Sequence, residues 1–181
     1  KVYCDYAYRR RDVYATLKRH EYINPFTDDY GWEGDLQTQN TFNMYGDVLF
    51  DNMMLDLKPR IEKETNLQLT EMYTYWRIYM ITSELKRHRG SCEISGTINL
   101  GGTPWPIYID TNVENGYHET TKKGNYKYIA GGEKGVEVLL EPGDCMLYLG
   151  KDCEHWREPL LEGECAQVFI HFRQTKDVNE E

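Results

Sequence analysis

Two histidines stand in segments that favour metal chemistry. His88 ends the segment Leu85-Lys-Arg-His88, and His155 lies much later in the chain, in Glu154-His155-Trp156. Both positions fall on short alternating segments, so each histidine is expected on a strand of one β-rich domain. Imidazole suits Fe(II), and a facial triad takes two imidazoles and one carboxylate. The pair therefore predicts a non-haem iron site whose third ligand has still to be found.

Two arginines could bind a carboxylate beside these histidines. Arg77 alternates with Tyr75 and Tyr79, so all three side chains share one strand face and can point into one cavity. Arg157 follows His155 by two residues, which on a regular strand places both on the same face. Either guanidinium could hold a carboxylate through two parallel hydrogen bonds. The sequence leaves the choice between them open.

The predicted secondary structure that must position these residues changes from helix to strand at residue 67. Before it, Phe50, Met54, Leu57 and Ile61 recur at helical spacing, which predicts one helix or a broken pair of helices. After it, the apolar period becomes two, and turn residues separate the strand candidates. The pattern predicts a mainly β fold, an antiparallel double-sheet barrel with helices packed outside one sheet. The predicted strands begin at residue 67 and continue at 92–100, 105–109, 136–140, 145–149 and 167–172.

The length of 181 residues suits one domain with one well-filled core. We predict an accessory cover at 1–44 with a short helix at 11–19, supporting helices at 45–66, the barrel at 67–173 and a solvated tail at 174–181. Pro59 is expected in the first turn of a second helical piece. The polar stretch 111–134 is expected to form a mobile loop near the barrel mouth.

Composition and charge disfavour several classes of partner and site. The net charge of -9 disfavours nucleic acid as a partner. No apolar run approaches the roughly 20 residues of a membrane span. The five cysteines include no Cys-x-x-Cys pair, which favours reduced thiols and a cytoplasmic protein and leaves a two-histidine, two-cysteine zinc site without a close-spaced pair.

Five motifs in order resemble the Fe(II)/2-oxoglutarate-dependent oxygenases, in their prolyl 4-hydroxylase-like branch. The resemblance covers roughly residues 45–172 and implies a double-stranded β-helix, a jelly-roll or cupin-like barrel. The motifs are Tyr79-x-x-Thr82-x-x-Leu85-x-x-His88, Arg89-x-x-Cys92-Glu93-x-Ser95, Trp105-Pro-x-Tyr108, Pro142-Gly-Asp144 and His155-Trp-Arg-Glu158.

The resemblance assigns roles to several residues. It implies that His88 and His155 bind Fe(II) and that Tyr79 donates a hydrogen bond to 2-oxoglutarate. It also implies a basic residue that pairs with the far carboxylate of 2-oxoglutarate, but that position holds Cys165. We predict that Arg157 or Arg77 takes over this role. Two further residues, Tyr75 and Trp105, are predicted to line the substrate pocket.

The expected His-x-Asp motif is the main departure. The spacing from His88 to Cys92 is shorter than the family pattern by the two residues that would contain the aspartate. Either the protein lacks these residues and binds iron weakly, or the sequence as written omits them and the enzyme is intact. A third interpretation is a functional His-x-Gly through Gly90, as in 2-oxoglutarate-dependent halogenases, where a halide takes the place of the carboxylate.

The implied reaction consumes 2-oxoglutarate and oxygen, releases succinate and carbon dioxide and hydroxylates a C–H bond, with ascorbate as a reductant such enzymes can use. The substrate, a peptidyl proline or a small molecule, cannot be read from the sequence, and neither can the oligomeric state. The rival interpretation is a jelly-roll binding protein that has lost the chemistry.

Overall fold

The computed structural model describes residues 1–19, 30–35, 37–120 and 126–175. Within them lie two helices and twelve strands. The helices are α1 (Val2–Arg19) and α2 (Val48–Thr65), and the strands are β1 (Trp32–Glu33), β2 (Thr41–Tyr45), β3 (Leu69–Met80), β4 (Leu85–His88), β5 (Ile94–Gly102), β6 (Ile107–Asp110), β7 (Tyr117–Thr120), β8 (Tyr126–Ile129), β9 (Val136–Val138), β10 (Cys145–Leu149), β11 (Glu154–Arg157) and β12 (Glu164–Gln174).

The strands form two antiparallel sheets and a separate hairpin. The six-stranded sheet has the order β1-β2-β3-β12-β5-β10, the four-stranded sheet has the order β4-β11-β6-β9, and β7 pairs with β8. The strands of the two sheets follow one another along the chain in the manner of a jelly roll. The predicted double-stranded β-helix is therefore confirmed.

Alternation along β3 and β12 gives the large sheet two different faces. Trp76, Ile78, Val168 and Ile170 are buried together with apolar residues of both helices. The intervening positions point the opposite way, because successive side chains of a strand alternate in direction. These are Tyr75, Arg77 and Tyr79 on β3 and Cys165, Gln167, Phe169 and His171 on β12. One face of the sheet thus holds the helices, and the other is free to build a site.

The N-terminal segment contributes more than a cover. Helix α1 runs from Val2 to Arg19, so the predicted short helix at 11–19 was too short. Strand β2 pairs with β3 along its whole length and belongs to the large sheet. Residues 20–29 lie outside the described part of the chain, as do 176–181 of the predicted tail.

Helix α2 is one continuous helix, where supporting helices at 45–66 were predicted. Asp47 caps its start by accepting a hydrogen bond from the Leu49 amide, and Asn66 ends it in the left-handed conformation. Pro59 lies inside the helix and not in the first turn of a second piece. The buried residues Phe50, Met54 and Ile61 hold the helix against the sheet, which outweighs the hydrogen bond that proline cannot donate.

The stretch 111–134 is not an unstructured loop, since β7 and β8 form a hairpin within it. Residues 121–125, between the two strands, lie outside the described residues. Neither helix of the described chain is long and apolar enough to cross a membrane.

Candidate functional site

The two predicted ligands lie side by side on the small sheet. His88 is the last residue of β4, and His155 is its register partner on β11. Their ring centroids are 4.2 Å apart, and the rings are tilted by 54°. The structure thus brings together two histidines that are far apart in sequence.

Main-chain carbonyls fix the tautomers of both rings. Nδ1 of His88 lies 2.8 Å from the Lys86 carbonyl oxygen, and Nδ1 of His155 lies 3.0 Å from that of Cys153. A carbonyl oxygen can only accept, so each Nδ1 carries the proton and each Nε2 keeps its lone pair. Burial lowers the pKa of both rings, which keeps them neutral near pH 7. Neutral imidazoles oriented in this way are suited to bind a metal through Nε2.

The residues directly after His88 supply no third ligand. Arg89 donates from Nη2 to the main-chain oxygens of Val113 and Asn115, the latter at 2.6 Å. Gly90 donates its amide to the Gly150 carbonyl at 2.7 Å. Across the described ranges, no three His, Cys, Asp or Glu side chains are grouped so that they could hold a metal ion. The described residues therefore bring two histidines together and do not form a complete facial triad.

Tyr79 and Arg157 place unused hydrogen-bond donors behind the histidines. Both side chains are buried, and both contact the Trp105 ring, with the Tyr79 centroid and the Arg157 Cζ each 4.8 Å from its centroid. Arg157 uses Nη1 on the Trp105 carbonyl oxygen. Tyr79 Oη and Arg157 Nε and Nη2 are buried without a hydrogen-bond partner among the described residues. Buried polar groups are rarely left unpaired, so these donors indicate an anionic ligand.

The Arg157 guanidinium could replace the basic residue that the resemblance expects at position 165, where the chain has Cys165. Cys165 is buried on β12 opposite Tyr79 and accepts a hydrogen bond from Gln167 at 3.1 Å. Burial raises the pKa of the Cys165 thiol, and the nearby positive charge of Arg157 opposes that rise. The guanidinium therefore lies near the position where the resemblance expects the basic residue, although it comes from a different strand.

Arg77 is already paired, in contrast to Arg157. It forms an ion pair with Asp35 and donates from Nε to Tyr75 Oη at 2.8 Å. Tyr75 Oη in turn donates to Asn43 at 3.0 Å. Of the two predicted arginines, only Arg157 has buried donors left over for a carboxylate.

One cavity of about 530 Å³ is lined by His88, His155, Tyr79 and Arg77, and Arg157 is not among its lining residues. Tyr75 lines it as predicted, but Trp105 does not, because it lies behind Tyr79 and donates from Nε1 to the Glu158 carbonyl oxygen. Trp105 therefore supports Tyr79 and Arg157 from outside the lining of this cavity, and its contact with a substrate stays a prediction. The rest of the lining is largely aromatic and polar, and includes Trp32, Asp35, Tyr45, Tyr73, Tyr148 and His171.

Three lining residues were missed or underrated by sequence reasoning. Tyr148 is edge-on to His155 at 4.7 Å, and its position on the predicted strand 145–149 was the only signal for it. Asp35 lies in a loop with no local pattern. His171 lines the cavity and stacks on Tyr73, with ring centroids 4.4 Å apart. Burial lowers the pKa of His171 to about 4.

Solved structures show which fold this is. A prolyl 4-hydroxylase from Pseudomonas putida aligns over 92% of this chain and 86% of its own, at 13% identity and a TM-score of 0.52. HygX from Streptomyces hygroscopicus, crystallised with nickel, 2-oxoglutarate and hygromycin B, aligns over 92% and 78%, at 14% identity and a TM-score of 0.57. A 2OG-Fe(II) oxygenase family oxidoreductase from Burkholderia pseudomallei aligns over 82% and 74%, at 8% identity and a TM-score of 0.53.

No protein-family model matches the chain, and no curated protein matches it. The similarity is therefore one of fold, and at that level it confirms the resemblance seen in the sequence. The chain has the fold of the Fe(II)/2-oxoglutarate oxygenases, and a prolyl 4-hydroxylase is among the solved proteins that share it.

Proposed function

We propose that the protein is an Fe(II)- and 2-oxoglutarate-dependent oxygenase that hydroxylates a C–H bond of a small molecule or peptide. The observation that carries this proposal is the set of unpaired donors on Tyr79 and Arg157, buried near two neutral histidines. A dicarboxylic acid satisfies these donors at one end and can reach a metal at the other. The fold shared with HygX, which was crystallised with nickel and 2-oxoglutarate, supports the same cosubstrate.

The side chains present could bind 2-oxoglutarate and occupy two coordination positions of an iron ion. His88 and His155 would hold Fe(II) through Nε2, with Nδ1 fixed by main-chain oxygens. Tyr79 and Arg157 would bind the far carboxylate of 2-oxoglutarate. When bound, the iron and 2-oxoglutarate supply the oxidation, with succinate and carbon dioxide as products.

The protein contributes orientation and a dry pocket to this chemistry. Trp105 fixes the position of both carboxylate-binding residues by contacting their side chains. Tyr148 packs on His155 and shields it from water, and burial raises the pKa of its phenol, which therefore stays protonated. The outer part of the cavity, with Tyr75, Arg77 and Asp35, is left to orient a substrate.

Succinate formation tests the proposal. The protein, incubated with Fe(II), 2-oxoglutarate, oxygen and ascorbate, should release succinate, and omission of Fe(II) or substitution His155→Ala should abolish the release. If a chain verified to contain a carboxylate after His88 forms no succinate with any tested substrate, the proposal is wrong.

The activity depends on the residues directly after His88. Mass spectrometry of the peptide that spans residues 86–92 in protein from its natural source decides whether an aspartate-containing dipeptide stands between His88 and Arg89. Its presence would complete the facial triad. If it is absent, a weakly metal-binding protein is expected.

A jelly-roll binding protein is the second candidate, and the missing third ligand among the described residues favours it. Such a protein would take up neither iron nor 2-oxoglutarate tightly. The halogenase alternative depends on Gly90, which lines the cavity. It predicts that chloride raises the affinity for 2-oxoglutarate, and an affinity independent of chloride would exclude it.

A further inference from the structure

A buried carboxylate that the proposed chemistry does not use lies directly beside one predicted ligand. Glu154 precedes His155 on β11, and its side chain is 0% exposed. Because successive residues of a strand face opposite ways, Glu154 points away from the cavity that His155 lines. It must therefore serve something other than contact with cosubstrate or substrate.

Three partners from two segments converge on the Glu154 carboxylate. Arg87 on β4 pairs with Oε2 at 3.1 Å. Tyr128 on β8 donates to Oε1 at 3.0 Å, and the Gly131 amide donates to the same oxygen at 3.1 Å. A buried charge is tolerated only when it is paired and hydrogen-bonded, so this set satisfies Glu154 fully.

The Arg87–Glu154 pair ties the two histidine strands together from outside. Arg87 immediately precedes His88, and Glu154 immediately precedes His155. Arg87 also lies over the Trp156 ring, with Cζ 3.4 Å from the centroid. The ion pair thus joins β4 to β11 on the outer face at the level where the two imidazoles meet on the inner face.

The bonds to Tyr128 and Gly131 connect the β7–β8 hairpin to the same point. Burial and the hydrogen bond to Glu154 together raise the pKa of Tyr128 to about 12, so the phenol remains a donor at physiological pH. Gly116 packs against this contact, and a Cβ there would collide with Tyr128 Oη. The base of the hairpin is therefore closely fitted around Glu154.

We infer that Glu154 is a positioning residue for the two-histidine site. Through its ion pair with Arg87 it fixes the distance between His88 and His155, and through Tyr128 and Gly131 it connects this pair of strands to the β7–β8 hairpin. This inference rests on the proposed function only where it concerns metal affinity. Groups that orient metal ligands without touching the metal typically change metal affinity about 10- to 100-fold when they are substituted.

The test compares Co(II) binding by Glu154→Gln, Arg87→Gln and the double variant with wild type. Each single variant is expected to raise the Co(II) dissociation constant about 10- to 100-fold, and the double variant should add little, because both substitutions break one interaction. Arg87→Lys, which keeps the charge, should restore most of the affinity. Tyr128→Phe removes one of the two hairpin bonds to Glu154 and should have a smaller effect.

A matched control removes an ion pair far from the histidines. Lys58 pairs with Glu71 at 2.8 Å between α2 and β3. Lys58→Gln should lower thermal stability at most and leave Co(II) affinity unchanged. A general loss of stability would instead reduce metal affinity in the control as well, and that result would overturn the inference.

Imidazole NMR of the metal-free protein separates this inference from the proposed function. In wild type, both rings should show protonated Nδ1 and unprotonated Nε2, and Glu154→Gln should disturb both signals while Lys58→Gln disturbs neither. Unchanged imidazole spectra and unchanged Co(II) affinity in Glu154→Gln would overturn the inference. If wild type shows the expected tautomers and the variant disturbs them, but wild type binds no Co(II), the positioning role stands and the proposed function fails.

Discussion

At the scale of single residues, the Tyr79 hydroxyl has no role in the fold that the described residues reveal. It is buried without a hydrogen-bond partner, so its removal should cost no stability. A hydrogen bond to a charged group contributes about 1.5 to 3 kcal/mol, so Tyr79→Phe should weaken 2-oxoglutarate binding about 10- to 150-fold.

Thermal denaturation of the metal-free protein and calorimetry with 2-oxoglutarate check both halves of this prediction. Tyr79→Phe should melt at or above the wild-type temperature. A clear loss of stability with unchanged affinity would mean that Tyr79 is a packing residue only.

Arg77, which lines the cavity, and Arg157, which does not, should behave differently. Arg157 has two buried donors unused, whereas Arg77 is paired with Asp35. Truncation of one partner of a buried charge pair costs about 2 to 5 kcal/mol, so Arg157→Met should weaken 2-oxoglutarate binding about 30-fold or more. Arg77→Met should lower stability, because Asp35 loses its partner, and leave that affinity within about threefold. Calorimetry that finds the reverse order would assign the carboxylate to Arg77.

At the scale of elements, the α2 cap stabilises the helix layer and not the site. Asp47 accepts hydrogen bonds from the Leu49 amide and from Tyr6 Oη, the latter at 2.9 Å. Asp47→Ala should cost about 1 to 2 kcal/mol of unfolding free energy for the cap alone, and Asp47→Asn, which keeps an acceptor, should cost less. Urea denaturation measures both.

The helices and the cavity lie on opposite faces of the large sheet, so Asp47→Ala should leave 2-oxoglutarate affinity unchanged. A parallel loss of affinity would show that the helix layer supports the site more directly than this arrangement implies.

Most elements could be predicted from local patterns, and the exceptions have physical causes. Strand 145–149 was predicted with the bounds that the structure shows, because its apolar run is bounded by clear turn residues. Helix α1 was missed over its first half, because tyrosines and arginines give that half only a weak apolar stripe. The sequence left a single helix and a broken pair both open around Pro59, since packing of Phe50, Met54 and Ile61 decides between them.

Part of the candidate site could likewise be predicted from local patterns, and part could not. Alternation alone placed Tyr75, Arg77 and Tyr79 on one face and Arg157 beside His155. Sequence could not choose between the arginines, because the choice depends on Asp35, which comes from a distant loop. Trp105 was predicted to line the substrate pocket, and only the three-dimensional packing shows that its ring contacts Tyr79 outside the lining of the cavity.

At the scale of the whole molecule, three histidines that line the cavity predict loss of stability in acid. Burial lowers the pKa of His171 to about 4, and that of His88 and His155 falls in the same direction. Below about pH 6.5 the unfolded chain takes up protons that the native state excludes. Stability from His171 is therefore complete above that pH and is lost as the pH falls toward 4, by up to about 1.4 kcal/mol per unit.

His171→Phe isolates this contribution, because a phenyl ring can keep the stacking on Tyr73 without taking a proton. From pH 7 to pH 5 the variant should lose up to about 2 kcal/mol less unfolding free energy than wild type. Urea denaturation at the two pH values gives the comparison. Equal losses in both proteins would show that other groups dominate the acid response.

The cytoplasmic location and the absence of nucleic-acid and membrane partners stay predictions from composition alone. The central claim is more specific: His88, His155, Tyr79 and Arg157 form one site that binds Fe(II) and 2-oxoglutarate together. The affinities for Fe(II) and for 2-oxoglutarate should depend on each other, since one 2-oxoglutarate molecule would contact the metal and Arg157 at once.

Anaerobic calorimetry of 2-oxoglutarate binding, with and without Fe(II), tests this claim most directly. We predict saturable binding that Fe(II) strengthens and that His155→Ala and Arg157→Met each abolish or weaken by about 30-fold or more. Binding that is absent with Fe(II), or that is equally tight in wild type and both variants, would contradict it.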